Sequence, residues 1–270
     1  MNLPSSRHRR ARPLLGTLVD ITLDEPDAQR AHDAFDAAFA AVARVHALMS
    51  VHDPLSELCQ LSDSAHLYPI HVHADTARVL RLAHAVHAHS NGIFDVAAHT
   101  GAGGSAADIT VDADNGVRFA RPLRLDLGGI AKGHAVDCAI NVLQARGIAS
   151  ALVNAGGDMR CFGAAAHPVY LRFAGGVRAV AMLQDSALAT SCNAGEASGV
   201  GSGARTVHVD ARSGHAVRRQ DSIVVQAPSA AVADALTKVA MVCAATADSA
   251  CLAMRAQWRR FAYFSDRTEA

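Results

Sequence analysis

The first periodicity along the chain is that of a strand. Leu14 to Leu23 (LLGTLVDITL) alternates roughly as a half-buried strand does. From Gln29 to Met49 the period lengthens to that of a helix, with Phe35, Phe39, Val42 and Met49 on one face. A second helix is expected from about Asp75 to His89, stopping at Asn91-Gly92. It carries His84, His87 and His89, whose spacings are not the i,i+4 zinc pattern and which no carboxylate accompanies. They read as a solvated or partly buried histidine face.

After Asp108 the character changes. DITVDADNGVRF and RPLRLDL read as strands of a hairpin around Asn115-Gly116. A Gly-rich turn follows, then a helix from about Ala131 to Arg146, ended by Gly147. Short strand-like segments come next: ASALVNA, DMRCFG, PVYLRF, VRAVAML, ALATS, ARTVHVD and SIVVQA. Pro228-Ser229 opens a long helix through Ala245, and AQWRRFAYFS closes the chain. Strands dominate the second half and helices are grouped, which favours an α+β fold over a doubly wound parallel sheet. With no repeat of fixed period, the expectation is one domain over 1–270. Its helix-rich part spans about 1–107; its β-rich part, with the long C-terminal helix, spans about 108–270. The stretches Thr100 to Ala107 and Asn193 to Ala204 read as flexible loops.

Composition narrows the classes. Half of the 270 residues are hydrophobic, so the chain is globular. Aromatics make up 4%, leaving few rings to stack on bases, and the formal charge is zero. Beyond Arg9, Arg10 and Arg12, which read as a frayed solvated terminus, there is no basic stripe, so a nucleic-acid partner is not expected. The cysteines, Cys59, Cys138, Cys161, Cys192, Cys243 and Cys251, form no CxxC pair and no two have zinc-site spacing; they read as buried, reduced thiols. No segment is apolar for long enough to span a membrane, and the N-terminus lacks the apolar core of a signal peptide. A cytoplasmic location is the expectation.

The candidate chemistry lies in glycine-rich and acidic segments. D-L-G-G-I-A-K-G, Asp126 to Gly133, follows a strand and opens a helix. Gly128 and Gly129 let a ligand approach the backbone, free amides at a helix start attract phosphate, and Lys132 adds a mobile charge. N-A-G-G-D (Asn154, Ala155, Gly156, Gly157, Asp158) again offers bare backbone, or a tight turn. In T-V-H-V-D-A-R-S-G, Thr206 to Gly214, His208 and Asp210 alternate to one face; the pair is a candidate general base with its carboxylate, or part of a plain turn. In A-D-A-L-T-K-V-A, Ala233 to Ala240, Asp234 sits inside an apolar helix and needs a partner. Lys238 one turn on, or Mg²⁺ shared with phosphate oxygens, can supply it.

Taken in this order, these segments resemble the ApbE family, the FAD:protein FMN transferases. The centre of the resemblance is L-D-L-G-G-I-A-K-G-H-A-V-D followed by A-L-V-N-A-G-G-D, with weaker echoes in S-E-L-C-Q-L at Ser56, G-I-F-D-V at Gly92 and A-L-A-T-S at Ala187. The resemblance implies an α+β fold of the ApbE type, with mixed or antiparallel sheets and packed helices. It implies FAD as substrate and Mg²⁺ as cofactor. A Thr or Ser hydroxyl of a target flavoprotein would attack the FMN-side phosphorus, AMP would leave, and the target would be flavinylated. The acceptor it implies is a redox subunit. Asp126, Gly128, Gly129, Lys132 and Asn154 to Asp158 would bind the dinucleotide, with Thr190, Ser191 and Asp210. His208 would activate the hydroxyl. Asp234 would hold the metal with the Ala131 carbonyl and Thr237. The family places Thr where this chain has Lys238. Three outcomes stay open: Thr237 is the ligand, Lys238 supplies the metal's charge, or the protein binds flavin without transfer. An FAD pyrophosphatase, with water as acceptor, would use the same site.

Overall fold

In this computed structural model residues 7–98, 103–173, 176–192, 208–217 and 221–261 are described. The strand pattern begins earlier than its alternation suggests. β1 (Arg7–Leu14) and β2 (Thr17–Asp24) form a hairpin through Leu15 and Gly16, whose φ angles of 56° and 68° suit the twist of a two-residue turn. The arginine run is therefore an edge strand, not a frayed terminus. Arg9 bonds Asp20 at 2.8 Å and Arg12 bonds Asp36 at 2.6 Å. The Arg10 and Arg12 guanidinium groups sit 5.2 and 4.6 Å over the rings of Phe35 and Phe39. Cations along an outer strand also discourage edge-to-edge pairing.

α1 (Ala28–Met49) starts where Asp27 accepts from the Gln29 and Arg30 amides, and it buries Phe35, Phe39, Val42 and Met49 as expected. α2 (Glu57–Ser64) was not evident in the pattern, being short and buried through only Leu58 and Leu61. β3 (Ile70–His71) precedes α3 (Ala74–His89), which ends as expected at Asn91 and Gly92, both with positive φ. β4 (Ile109–Val111) and β5 (Gly116–Phe119) complete a small sheet of order β3-β5-β4. Both hairpin arms thus lie within DITVDADNGVRF. Among the described residues RPLRLDL joins no ladder, yet its alternation was meaningful, since Leu123, Leu125 and Leu127 are all buried.

α4 (Ala131–Ala145) leads to β6 (Ser150–Ala155), β7 (Asp158–Phe162), β8 (His167–Phe173), β9 (Gly176–Leu183), β10 (Ala187–Cys192) and β11 (Ser222–Ala227). α5 (Ala230–Val242), α6 (Ala244–Ala253) and β12 (Gln257–Phe261) follow. The expected single C-terminal helix is broken at Cys243, whose backbone is extended (φ −146°, ψ 114°). Within ARTVHVD only an isolated bridge, Val209 to Ala216, is seen; 204–207, like the loop 193–203, lies outside the described residues.

The main sheet is antiparallel throughout, with order β1-β2-β6-β7-β10-β11-β12. α1, α4 and α5 contribute to the main core that the sheet backs. β8 and β9 form a separate ribbon over a smaller cluster of Val169, Val180, Leu183, Leu188 and Val224. The fold is α+β, and no helix among the described residues is long and apolar enough to cross a membrane. All six cysteines are free; Cys138, Cys161 and Cys251 are buried, while Cys192 is exposed.

α4 and α5 are locked together by backbone contact. A Cβ on Gly133 would run into the Ala230 carbonyl, so only glycine permits this approach. Asp137, one turn on along α4, caps α5: its two oxygens accept from the Ala230 and Ala231 amides at 2.9 and 3.0 Å. Arg160 on β7 donates to the same carboxylate at 2.8 Å.

Candidate functional site

Sequence places Asp126 before two glycines, and the carboxylate uses that proximity to accept from the Gly128 amide at 2.7 Å. The loop then closes as Ile130 and Ala131 donate to the Leu127 carbonyl, and α4 begins. Gly129 faces α5. A Cβ there would come within 3.2 Å of the Phe94 ring and 3.4 Å of Lys238 Cγ, so the missing side chain makes room for Lys238.

Asn154 to Asp158 is a tight turn rather than an open cradle. Ala155 pairs with Asp158, and Gly156 and Gly157 take φ values of 64° and 102° between β6 and β7. Asn154 Oδ1 accepts from the Gly157 amide at 3.0 Å. Added Cβ atoms would meet Thr17 Oγ1 at 2.7 Å and Thr190 Oγ1 at 2.6 Å. The turn is therefore pressed between the β1–β2 hairpin and β10, and it aims Asp158 inward.

Between α4, β7, β10 and α5 lies a cluster of four charges. Asp234 and Thr237 are 0% exposed, and Asp158 is 2% exposed. Lys238 Nζ donates to Asp234 Oδ1 at 2.7 Å, and to Ser191 Oγ and Thr237 Oγ1, both at 3.1 Å. Lys132 Nζ reaches Asp158 Oδ2 at 2.5 Å and lies 3.6 Å from Asp234 Oδ2. Gly133 N–H donates to that same Oδ2 at 3.2 Å. Thr237 Oγ1 donates to the Asp234 carbonyl at 2.7 Å and lies 2.8 Å from Ser191 Oγ. Two ammonium groups thus balance two carboxylates. Both lysine side chains keep some exposure, 32% and 22%, so an arriving anion can reach them.

Burial and the Asp234 charge push the Asp158 carboxyl up to about 6. The Lys132 ammonium is held above the usual lysine range, because the charges of Asp234 and Asp158 outweigh the burial that opposes them. Asp234 is moved the other way: despite complete burial it stays below the usual carboxylate range because Lys238 and Lys132 face it. His208 is pushed down to about 4, first by burial and then by the Lys238 ammonium, so its imidazole is neutral at ordinary pH.

Mg²⁺ fits poorly into this arrangement. Lys238 holds the three oxygens of Asp234, Thr237 and Ser191 that a cation on this helix would use. Lysine offers no acceptor, and a second cation beside the same carboxylate oxygen would face the ammonium directly. The three residues expected to hold a metal are Ala131, Asp234 and Thr237. Ala131 opens α4 beside Lys132, Asp234 is paired with Lys238, and the Thr237 hydroxyl proton points to a backbone carbonyl.

Asp210 does not partner His208. Its carboxylate takes Arg212 side-on, through Nε at 3.1 Å and Nη2 at 2.9 Å, inside a turn closed by the Gly214 amide. Among the described residues this segment forms only the isolated bridge Val209 to Ala216. Nor is the histidine face of α3 without a carboxylate: His87 Nδ1 lies 3.1 Å from Asp95 Oδ2, which Ser105 also reaches at 2.9 Å. Sequence reasoning missed the Lys132–Asp158 pair and the contribution of Asp137, whose partners are distant in the chain.

An antiparallel sheet backed by helices, with a buried ammonium–carboxylate cluster where a glycine turn meets two helices, defines the class: an α+β protein with a polar site between α4 and α5. The model of the ApbE family matches residues 15–102 and 98–258, and the chain belongs to that family. Similar solved structures include the flavin transferase ApbE from Vibrio cholerae, at a TM-score of 0.79 and 20% identity over 97% of this chain and 96% of that one. The apo flavinyl transferase ApbE from Pseudomonas stutzeri gives 0.76 and 19% over 90% and 86%. The ApbE protein from Thermotoga maritima gives 0.76 and 22% over 93% of each chain. At such identities the likeness is one of fold. No curated protein matches this sequence.

Proposed function

We propose that this protein transfers FMN from FAD to a Thr or Ser hydroxyl of a flavoprotein acceptor, releasing AMP, and that Lys238 and Lys132 supply the positive charge the reaction needs. The observation that carries the reading is the Lys132–Asp158–Asp234–Lys238 cluster with a neutral His208 beside it. Family membership supports the substrate class. Transfer at phosphorus needs charge neutralisation and in-line placement more than covalent chemistry. The two ammonium groups, partly exposed, meet the pyrophosphate oxygens. The acceptor oxygen attacks the FMN-side phosphorus, the bridging P–O bond breaks towards AMP, and the hydroxyl proton passes to the His208 imidazole. Asp126, Gly128, Gly129 and the turn Asn154 to Asp158 shape the wall along which FAD lies, with Thr190 and Ser191 beside it. Asp210 steadies the His208 segment through Arg212. The acceptor expected is a redox subunit with an exposed Thr or Ser.

The test incubates the protein with FAD and a flavoprotein domain that carries such a Thr, with EDTA and separately with Mg²⁺. The expected result is AMP release and acceptor that remains fluorescent in a denaturing gel under both conditions. Equal AMP release without acceptor would instead establish an FAD pyrophosphatase. Tight FAD binding without AMP would establish a flavin-binding homologue.

A further inference from the structure

α4 carries a second polar cluster on the face away from Lys132 and Asp158. His134 and Cys138 stand one turn apart, so their side chains share a face. Opposite them is Asp75, in the first turn of α3. All three are buried, with His134 3% exposed. Among the described residues this is the group of His, Cys and carboxylate side chains whose ligand atoms all lie within 4.8 Å of one another. His134 Nε2 is 3.3 Å from Asp75 Oδ1 and 3.4 Å from Cys138 Sγ, and Cys138 Sγ is 3.6 Å from Asp75 Oδ1.

These three distances are the edges of a coordination triangle. With ordinary zinc bonds (about 2.0 Å to oxygen, about 2.05 Å to nitrogen, about 2.3 Å to sulfur) and tetrahedral angles, the N–O, N–S and O–S edges come to about 3.3, 3.6 and 3.5 Å. The protein therefore presents one face of a zinc tetrahedron with little rearrangement. The outer oxygen of Asp75 accepts from Arg44 Nε at 3.1 Å, which fixes the carboxylate's orientation as supporting groups around metal sites do. That end of the cluster reaches solvent: the Arg44 and His73 side chains flanking the outer oxygen are 45% and 43% exposed, and His73 Nδ1 lies 3.4 Å from it. Burial makes the thiol an unsuitable nucleophile, since a substrate cannot reach Sγ, but a bare ion can enter along the Asp75 end.

We propose that Asp75, His134 and Cys138 bind one Zn²⁺ through carboxylate, imidazole and thiolate, with water in the fourth position, and that the ion ties α3 to the helix bearing Lys132 and Asp137. Binding releases the thiol proton to solvent. The site contains a single cysteine, which is why cysteine spacing in the chain does not reveal it.

Reduced, chelator-treated protein titrated with Co²⁺ in place of zinc should take up one equivalent. It should show a thiolate-to-cobalt charge-transfer band with the intense visible absorption of a tetrahedral site. X-ray absorption of the zinc-loaded protein should show one sulfur at about 2.3 Å. Cys138→Ser should abolish the charge-transfer band, and His134→Gln should weaken binding by more than the roughly 100-fold that outer-shell changes produce. Cys192→Ser and Cys161→Ser should leave both signals intact. Absence of stoichiometric uptake, a zinc shell without sulfur, or a band that survives Cys138→Ser overturns the proposal and leaves a hydrogen-bonded cluster only. If Cys138→Ser does not fold, Asp75→Asn, which keeps the side chain's shape, decides: unchanged zinc affinity there overturns it.

Discussion

Lys238→Thr removes the cation from Asp234 and places a hydroxyl one turn after it. Asp234 is 0% exposed and would keep only the Gly133 N–H at 3.2 Å and Lys132 at 3.6 Å. Breaking a buried pair by deleting one partner costs about 3–5 kcal/mol. Because Lys132 remains and Lys238 is itself 22% exposed, the lower end applies, about 3 kcal/mol. For a chain of this size each kcal/mol lowers Tm by about 2 °C, so the loss is about 6 °C. The introduced threonine hydroxyl, Thr237 and an unpaired Asp234 would then form an oxygen site. Mg²⁺ at about 100 times its Kd should return about 2.7 kcal/mol, nearly the whole loss. The assay is thermal unfolding of both proteins in EDTA and in rising Mg²⁺, alongside AMP release. The native protein should be indifferent to Mg²⁺ in both. The variant should be less stable and inactive in EDTA, and recover both with Mg²⁺. A native protein whose Tm and activity depend on Mg²⁺, or a variant as stable as the parent in EDTA, would refute the assignment of Lys238 as the resident cation.

Because His208 is held at about 4, the acid limb of the pH–rate profile should fall near pH 4 instead of near the ordinary histidine value of about 6.5, and in Lys238→Met it should move upward. The same depression makes neutral His208 stabilise the fold fully above pH about 6.5, a contribution lost as pH falls towards about 4; unfolding measured across that window shows the slope. Gly133→Ala should push α5 off α4 and lower Tm by several degrees, with activity falling more than global stability explains, since Asp234 and Lys132 sit on the two displaced helices. Asp137→Asn loses one of two amide acceptors and the Arg160 ion pair, which should cost about 2 kcal/mol in denaturant unfolding.

Most elements were legible because burial imposes a period. α1 repeats its apolar face over 22 residues, and α3 stops where Asn91 and Gly92 adopt left-handed backbone. RPLRLDL shows the limit of that signal: alternation reported which leucines are buried, but hydrogen-bonded pairing depends on a neighbouring strand, and none pairs with it among the described residues. The break between α5 and α6 left no trace either, since the alanine-rich stretch around Cys243 favours helix on both sides.

The candidate site was legible in a similarly divided way. Asp234 could be recognised as a buried carboxylate in need of a partner, and Lys238 as one possibility, because both lie on one helix face four residues apart. That Lys238 also engages Ser191 could not be read, because β10 meets α5 only in the folded sheet. The glycines of Asn154 to Asp158 suggested bare backbone for a ligand, yet their positive φ values are spent on a two-residue hairpin. That turn serves the site by delivering Asp158 to Lys132, which in turn leaves Asp234 to Lys238. On the proposed reading, charge balance set by tertiary pairing decides whether a pyrophosphate is met with a metal or with the protein's own side chains. Each buried carboxylate is already matched by an ammonium, so in that reading incoming phosphates would bring the unbalanced negative charge, and it would be met at the partly exposed faces of Lys132 and Lys238.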